Sequence, residues 1–327
     1  MSASQLLTAY NTCVTQAIKN YNTTVANILK QRMNLQQKQN YLTFLKIQFQ
    51  KYMANLNAKY DADVLLLTKP TITTAVKNKK ALLIGINYIG TTASLNGCIN
   101  DINSIGDLLT TKYAFNSITK ITDETAQKPT RDVILASFAQ FLASGVEGDV
   151  LFFSYSGHGS YTLDRNNDEK TGTDETGNDE MIIASDLKGI LDDELKSLIQ
   201  THLKKNVTLF ALFDSCFSGT VLDLKYQYLD SLENDASTIN QNETETIGNV
   251  IMISGCSDVQ TSADAFLEKK YQGAMTWSFI SAISESTTLS WKDLLIKMRN
   301  RLKQSSFTQL PQLSSGCFMD INNVVSF

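Results

Sequence analysis

The sequence predicts an α/β protein: a largely parallel central sheet flanked by helices, preceded by an α-helical appendage. Three observations lead there. From Ala81 onward, apolar runs of strand length alternate with segments of helical period. Two of those runs, Val150-Leu-Phe-Phe-Ser154 and Val207-Thr-Leu-Phe-Ala-Leu-Phe213, lead straight into loops bearing Gly and Ser. In open α/β sheets, ligands bind at such carboxyl ends. Residues 1 to about 67 hold neither Gly nor Pro and carry apolar residues at helical spacing.

In the appendage, Leu6, Tyr10, Val14, Ala17, Tyr21, Val25, Ile28 and Leu35 form one stripe, and Tyr41, Leu45, Phe49, Tyr52, Leu56 and Tyr60 a second. This is the pattern of one long helix or a helical hairpin. Pro70 within the Thr-rich stretch 68–74 marks the linker, so the chain divides into 1–69 and 70–327. The second part opens with a buried strand, Ala81–Asn87, and a helix from Cys98 to Lys112. A short strand, Ile118–Ile121, precedes a helix over Thr130–Leu142 with Thr130 as its N-cap. After the strand ending at Ser154 come a long acidic loop, a helix over Leu191–His202 and the strand ending at Phe213. The polar stretch Tyr226–Asn249 is predicted as a loop, Val250–Ser254 as a strand, and Gly273–Ser284 and Trp291–Lys303 as helices.

Composition narrows the function. A hydrophobic content of 43% in 36.3 kDa supports a substantial core. The net charge of −4 and pI near 5.3 argue against a nucleic-acid partner. The longest apolar stretch, Val133–Ala143, is interrupted by Ser137 and Gln140 and is too short to cross a bilayer, so no membrane partner is expected. The N-terminus lacks a basic region followed by an apolar core, and five scattered cysteines fit reduced thiols. The expectation is a cytoplasmic protein. Cys13, Cys256 and Cys317 read as packing residues, and His202 as a partner of a helix C-terminal dipole.

The chemistry concentrates in Tyr155-Ser-Gly-His158-Gly159 and Asp214-Ser-Cys216-Phe-Ser-Gly219, which follow the two long apolar runs. Only two histidines occur in 327 residues, and one of them is His158. Alternate strand residues face the same way, so Ser156 and His158 project together, as do Asp214 and Cys216. An imidazole beside a thiol raises the nucleophilic thiolate fraction. The amides of Gly159 and Cys216 are candidates for an oxyanion hole.

Ser156-Gly-His158-Gly159 followed by Asp214-Ser-Cys216, with Gly97-Cys-Ile-Asn-Asp101, Ser254-Gly-Cys-Ser-Asp258, Gln260-Thr-Ser-Ala-Asp-Ala265, Gly273-Ala-Met-Thr276 and Pro311-Gln-Leu-Ser-Ser315, resembles the caspase-like cysteine peptidases, most closely the metacaspases. The resemblance spans residues 80–327. It implies a caspase-like fold, with Cys216 as nucleophile and His158 as general base in an endopeptidase working through an acyl-enzyme. A large-subunit-like part (80–225), a linker (226–249) and a small-subunit-like part (250–327) follow the type I arrangement. The resemblance also implies that Cys98, Asp101, Ser156 and Asp214 line the S1 pocket. Two carboxylates there favour a substrate Arg or Lys, against the plainer reading of Asp101 as a solvated first-turn residue. Phe217 departs from the family, which usually has His after the nucleophile.

Between Asp164 and Glu194 lie eleven acidic and three basic residues. Carboxylates crowded this way either repel into disorder or bind a hard cation. Asp164, Asn166, Asp168 and Glu175 fit an EF-hand spacing, but Glu169 stands where that loop requires Gly, so an EF-hand is rejected. The metacaspase resemblance instead implies calcium ligands at Asp192, Asp193 and Asp223, with an acidic-loop residue closest to Asp174. It further implies activation by calcium and cleavage of a lysyl bond, with Lys225, Lys269 and Lys270 as candidate sites. A monomer is expected, unless the N-terminal helices self-associate. The reading from another class is a non-proteolytic scaffold assembling through those helices.

Overall fold

The computed structural model describes residues 3–68, 78–163, 178–216, 221–228, 237–240, 243–255, 264–267, 270–286 and 288–327. The chain forms two compact units, Met1–Thr73 and Thr74–Phe327.

The first unit is a helical hairpin of α1 (Ala3–Lys30) and α2 (Leu35–Thr68). The turn is closed by reciprocal bonds between Asn34 and Gln37: each side chain accepts from the other's backbone amide, at 2.8 and 3.2 Å. The first predicted stripe faces the partner helix from Leu6 to Ile28. The second is shifted in phase. Leu42, Leu45, Phe49, Met53, Leu56 and Tyr60 turn inward, while Tyr41 and Tyr52 stay exposed. Leu35 also starts the second helix in the open rather than ending the first stripe. The antiparallel alignment is pinned by Tyr10 against Tyr60 and Tyr21 against Phe49, with ring centroids 4.3 and 4.5 Å apart.

The second unit is built on an eight-stranded sheet of order β2-β1-β3-β7-β10-β13-β8-β9. Its members are β1 (Lys79–Gly85), β2 (Ser117–Thr122), β3 (Val150–Ser156), β7 (Thr208–Asp214), β8 (Tyr226–Tyr228), β9 (Ser237–Ile239), β10 (Asn249–Ser254) and β13 (Gln312–Ser315). The first five in spatial order are parallel, and β13, β8 and β9 add antiparallel edges. Continuous apolar runs are what a strand buried on both faces requires, and β3 is buried along its whole length.

Helices α3 (Cys98–Tyr113), α6 (Ala274–Ser284) and α7 (Trp291–Gln304) pack on one face, around Phe152, Phe210 and Phe279. On the other face, α4 (Arg131–Ala143) and α5 (Asp192–His202) cover Phe153, Ala211 and Phe213. Two smaller sheets accompany this core: β4 (Gly159–Leu163), β5 (Asn178–Ile183) and β6 (Gly189–Leu191), and the hairpin of β11 (Asp264–Leu267) with β12 (Lys270–Gly273).

Three local expectations change. The stretch expected as a loop from Tyr226 contains β8 and β9, and Tyr226 and Tyr228 are buried where β8 pairs with β13. Part of the acidic segment is β5 and β6 rather than loop. Thr130 occupies the N-cap of α4 without a side-chain capping bond. The carboxylate of Asp186 substitutes, accepting from the Arg131 amide at 3.0 Å.

Candidate active site

Strands β3 and β7 are parallel neighbours, with Ser156 opposite Asp214. The chain leaves both at one level, so His158 and Cys216 each follow two residues beyond a matched strand end. The two exit loops touch. A Cβ on Gly159 would overlap the Cys216 carbonyl oxygen and lie 3.3 Å from the Cys216 amide nitrogen. Only glycine allows this approach. His158 and Cys216 are both partly exposed, and thus within reach of a substrate.

The imidazole is oriented from three sides. Its Nε2 lies 2.7 Å from the Ala93 carbonyl oxygen. A carbonyl can only accept, so Nε2 carries a proton, and in the neutral ring Nδ1 is the nitrogen left to act as a base. The ring packs against Tyr88 at a tilt of 39°, centroids 4.6 Å apart. Its backbone is clamped by two buried phenols. Tyr88 Oη accepts from the His158 amide at 2.8 Å, and Tyr155 Oη donates to the His158 carbonyl at 2.8 Å. Tyr88 also donates to the Ile183 carbonyl at 2.7 Å. Burial pushes both phenols well above the usual tyrosine range, so they stay neutral. Tyr88 holds a left-handed backbone with φ of 50°, a conformation a bulky residue adopts only under constraint. Neither tyrosine was singled out from sequence, although Tyr155 lies inside the histidine motif.

Asp101, Ser156 and Asp214 converge at the amino end of α6. Ser156 Oγ donates to Asp101 Oδ2 at 2.6 Å, and the Gly273 amide donates to Asp101 Oδ1 at 2.8 Å. Asp214 Oδ2 accepts from the Thr276 amide at 2.8 Å, in the first turn of α6, where the helix dipole favours an anion. The two carboxylates flank Gly273 so closely that one added Cβ would meet both. Asp101 is 2% exposed, which rules out the solvated first-turn reading. Cys98 is buried at the start of α3, the helix that also carries Asp101. Its thiol is near enough to Tyr88 and Tyr155 to act on both electrostatically.

Asp192, Asp193 and Asp223 come together from the start of α5 and the segment after β7, with one carboxylate oxygen of each within 4.8 Å of the others. Calcium–oxygen distances of about 2.3–2.6 Å require this spacing around one centre. The donors are hard oxygens, and Asp192 is buried. That burial pushes its carboxyl up to about 7, and Asp193 and Asp179 add repulsion, while the Glu180 and Asp193 amides donate to it and pull the other way. The crowded carboxylates therefore fit a cation. Asp179 and Glu180, also buried, border the group and were missed because β5 was read as loop. Lys196 Nζ approaches Asp223 at 3.5 Å and Glu243 at 2.7 Å.

Of the lysines expected as cleavage sites, Lys225 donates to the Glu243 carbonyl at 2.8 Å, and Lys270 donates to Ser104 Oγ at 2.7 Å. Asp174, Phe217, Cys256 and Lys269 lie outside the described residues. Cys13 is exposed rather than packed, and Cys317 Sγ donates to the Thr246 carbonyl at 3.3 Å.

A mostly parallel sheet with a thiol and an imidazole at the carboxyl ends of adjacent central strands defines the caspase-like class of peptidases. Comparison with known proteins narrows this. The model of the metacaspase peptidase C14 domain matches residues 79–225. Metacaspase-1 of Kluyveromyces lactis is 35% identical over 297 residues, covering 75% of this chain and 67% of the relative. Metacaspase-2 of Trypanosoma brucei brucei is 34% identical over 290 residues, covering 81% and 82%. Among solved structures, protein GSU0716 from Geobacter sulfurreducens shares the fold at a TM-score of 0.56 and 22% identity, over 76% of this chain and 98% of that one. The chain belongs to the metacaspase family, and is accordingly a cysteine peptidase.

Proposed function

We propose that this metacaspase is a calcium-dependent endopeptidase cutting after Arg or Lys, with a Cys216–His158 dyad and the capacity to process itself. The observation that carries the specificity is the buried pair Asp101 and Asp214, hydrogen-bonded around Gly273. Two desolvated carboxylates are stabilised by an entering guanidinium or ammonium, whereas an Asp side chain would add a third negative charge. In the dyad, Nδ1 of His158 takes the proton from the Cys216 thiol. The thiolate attacks the scissile carbonyl, and the amides of Gly159 and Cys216 receive the developing oxyanion. His158 returns its proton to the leaving amine, and water then cleaves the thioester, releasing the acid and regenerating the thiol.

Asp192, Asp193 and Asp223 would hold the calcium ion. When bound, it supplies positive charge that offsets the repulsion among these carboxylates. Asp223 lies two residues before Lys225, the candidate self-cleavage site nearest in sequence to these ligands.

Hydrolysis of Arg-, Lys- and Asp-terminated fluorogenic peptides, with calcium and with chelator, tests the reading. Arg and Lys substrates should be cut only with calcium, Asp substrates not at all, and Cys216→Ala should be inert. Activity in Cys216→Ala, or preference for Asp, would overturn it. Asp192→Ala with Asp193→Ala should remove both the calcium requirement's response and the rise in melting temperature that calcium gives Cys216→Ala.

A further inference from the structure

The overall charge of −4 conceals a strong polarity along the chain. Residues 1–80 hold eleven Lys and Arg against two acidic residues, a net +9, and the rest of the chain is −13. The first 60 residues carry seven basic side chains and no carboxylate, and the hairpin's acidic residues are confined to Asp61 and Asp63 near the end of α2. Six of the seven, Lys19, Lys30, Arg32, Lys46, Lys51 and Lys59, are exposed on the hairpin.

The same hairpin exposes large apolar side chains in register. Leu7, Ile18 and Leu29 stand 46%, 44% and 54% exposed on α1. Their 11-residue spacing returns to within about 20° of the same direction each time, so they form a straight row beside the stripe that packs on α2. Lys19 and Lys30 directly follow Ile18 and Leu29. On α2, exposed Ile47 and Tyr52 likewise adjoin Lys46 and Lys51.

We infer that this hairpin is a docking surface for an anionic lipid bilayer, with the Leu7–Ile18–Leu29 row entering the acyl boundary and Lys19 and Lys30 meeting the headgroups. An apolar row edged by long cationic side chains is what interfacial helices present. No described helix is long and apolar enough to cross a membrane, so contact is confined to the surface. Hairpin-to-hairpin pairing with a second copy is disfavoured, because two such basic surfaces repel. Phosphate backbones would meet the lysines but leave the aliphatic row without apolar contact. The expectation of no membrane partner rested on the lack of an apolar stretch long enough to cross a bilayer, a criterion that does not test for contact at the surface.

The test is flotation of the full-length protein with phosphatidylcholine vesicles, with and without phosphatidylserine, at rising salt. Binding should require phosphatidylserine and weaken with salt. Each basic residue at an anionic surface is worth about fivefold in affinity, so Lys19→Glu with Lys30→Glu should lower binding by at least about tenfold. Ile18→Asn with Leu29→Asn should lower it too, with helical content and peptidase activity unchanged. Absence of phosphatidylserine-dependent binding would overturn the inference, as would binding indifferent to the apolar row. Capture of duplex DNA or RNA through Lys19 and Lys30, with no vesicle binding, would assign the surface to nucleic acid and likewise overturn it.

Discussion

Replacing Gly273 by alanine isolates the carboxylate pocket from every other feature of the protein. Gly273 has φ of −67° and ψ of 133°, a conformation alanine adopts without strain, so the backbone has no reason to move. The added Cβ, however, would lie 2.7 Å from Asp214 Cγ and 2.9 Å from Asp101 Oδ2. Real Cβ contacts essentially never fall below 3.0 Å, and Asp214 Oδ2 would be met closer still, so the Asp214 carboxylate must move away and Asp101 must give as well. Asp214 is held by the Thr276 amide, and Asp101 by Gly273 itself and Ser156, so retreat breaks at least one hydrogen bond to a charged group. Such a bond is worth about 1.5–3 kcal/mol. At 1.36 kcal/mol per decade, kcat/KM for an Arg substrate should fall by about 10- to 200-fold. Steady-state hydrolysis of an Arg-terminated fluorogenic peptide gives the number, and the melting temperature reports the overpacking cost of about 1–3 kcal/mol. A variant within about twofold of the parent in kcat/KM would refute the assignment of this carboxylate pair to substrate binding.

Two further outcomes follow from the buried polar groups. Tyr88→Phe keeps the ring beneath His158 but removes the phenol that accepts from its amide; kcat should fall about tenfold with KM little changed, because a loosened base costs positioning rather than binding. At the start of β3, Asp149 is buried, which works to raise its pKa. It accepts from Asn78 and the Val146 amide and lies 3.4 Å from Lys80, and these outweigh burial to hold its carboxyl below the ordinary range. A lowered folded pKa contributes stability above the unfolded value, near about 3.9, and loses it as pH falls through the folded value. Asp149→Asn should therefore cost about 1–3 kcal/mol near neutrality, a gap in urea midpoints that narrows below about pH 4. A gap that is constant or grows with acid would show that the carboxylate's charge contributes nothing.

The amino-acid sequence determined what depends on neighbours in the chain. Continuous apolar runs announced β1, β3, β7 and β10, since a strand covered on both faces must be apolar throughout. The motifs around His158 and Cys216 were legible for the same reason: each is a strand end with its loop. In the hairpin, helical period gave the inward faces to within one residue, and the error at Tyr41 and Tyr52 was one of phase. Tyrosine serves equally well at the edge of an interface and inside it, so hydropathy does not separate Tyr41 from Leu42.

What only the tertiary structure decided depends on partners distant in sequence. The short strands β8 and β9 carry little apolar signal of their own, and β8 exists because β13, more than eighty residues later, supplies its hydrogen bonds. Asp186 replaces Thr130 as the cap of α4 from across the fold. Tyr88 and Tyr155 meet beneath His158, although 67 residues separate them. Asp101 and Asp214 become a pocket only when Gly273 and Thr276 bring two amides to them across 172 and 62 residues. A pattern in the chain can say which residue types stand at a strand end. A buried charge, however, is tolerable only where donors converge on it, and that convergence is a property of the folded molecule.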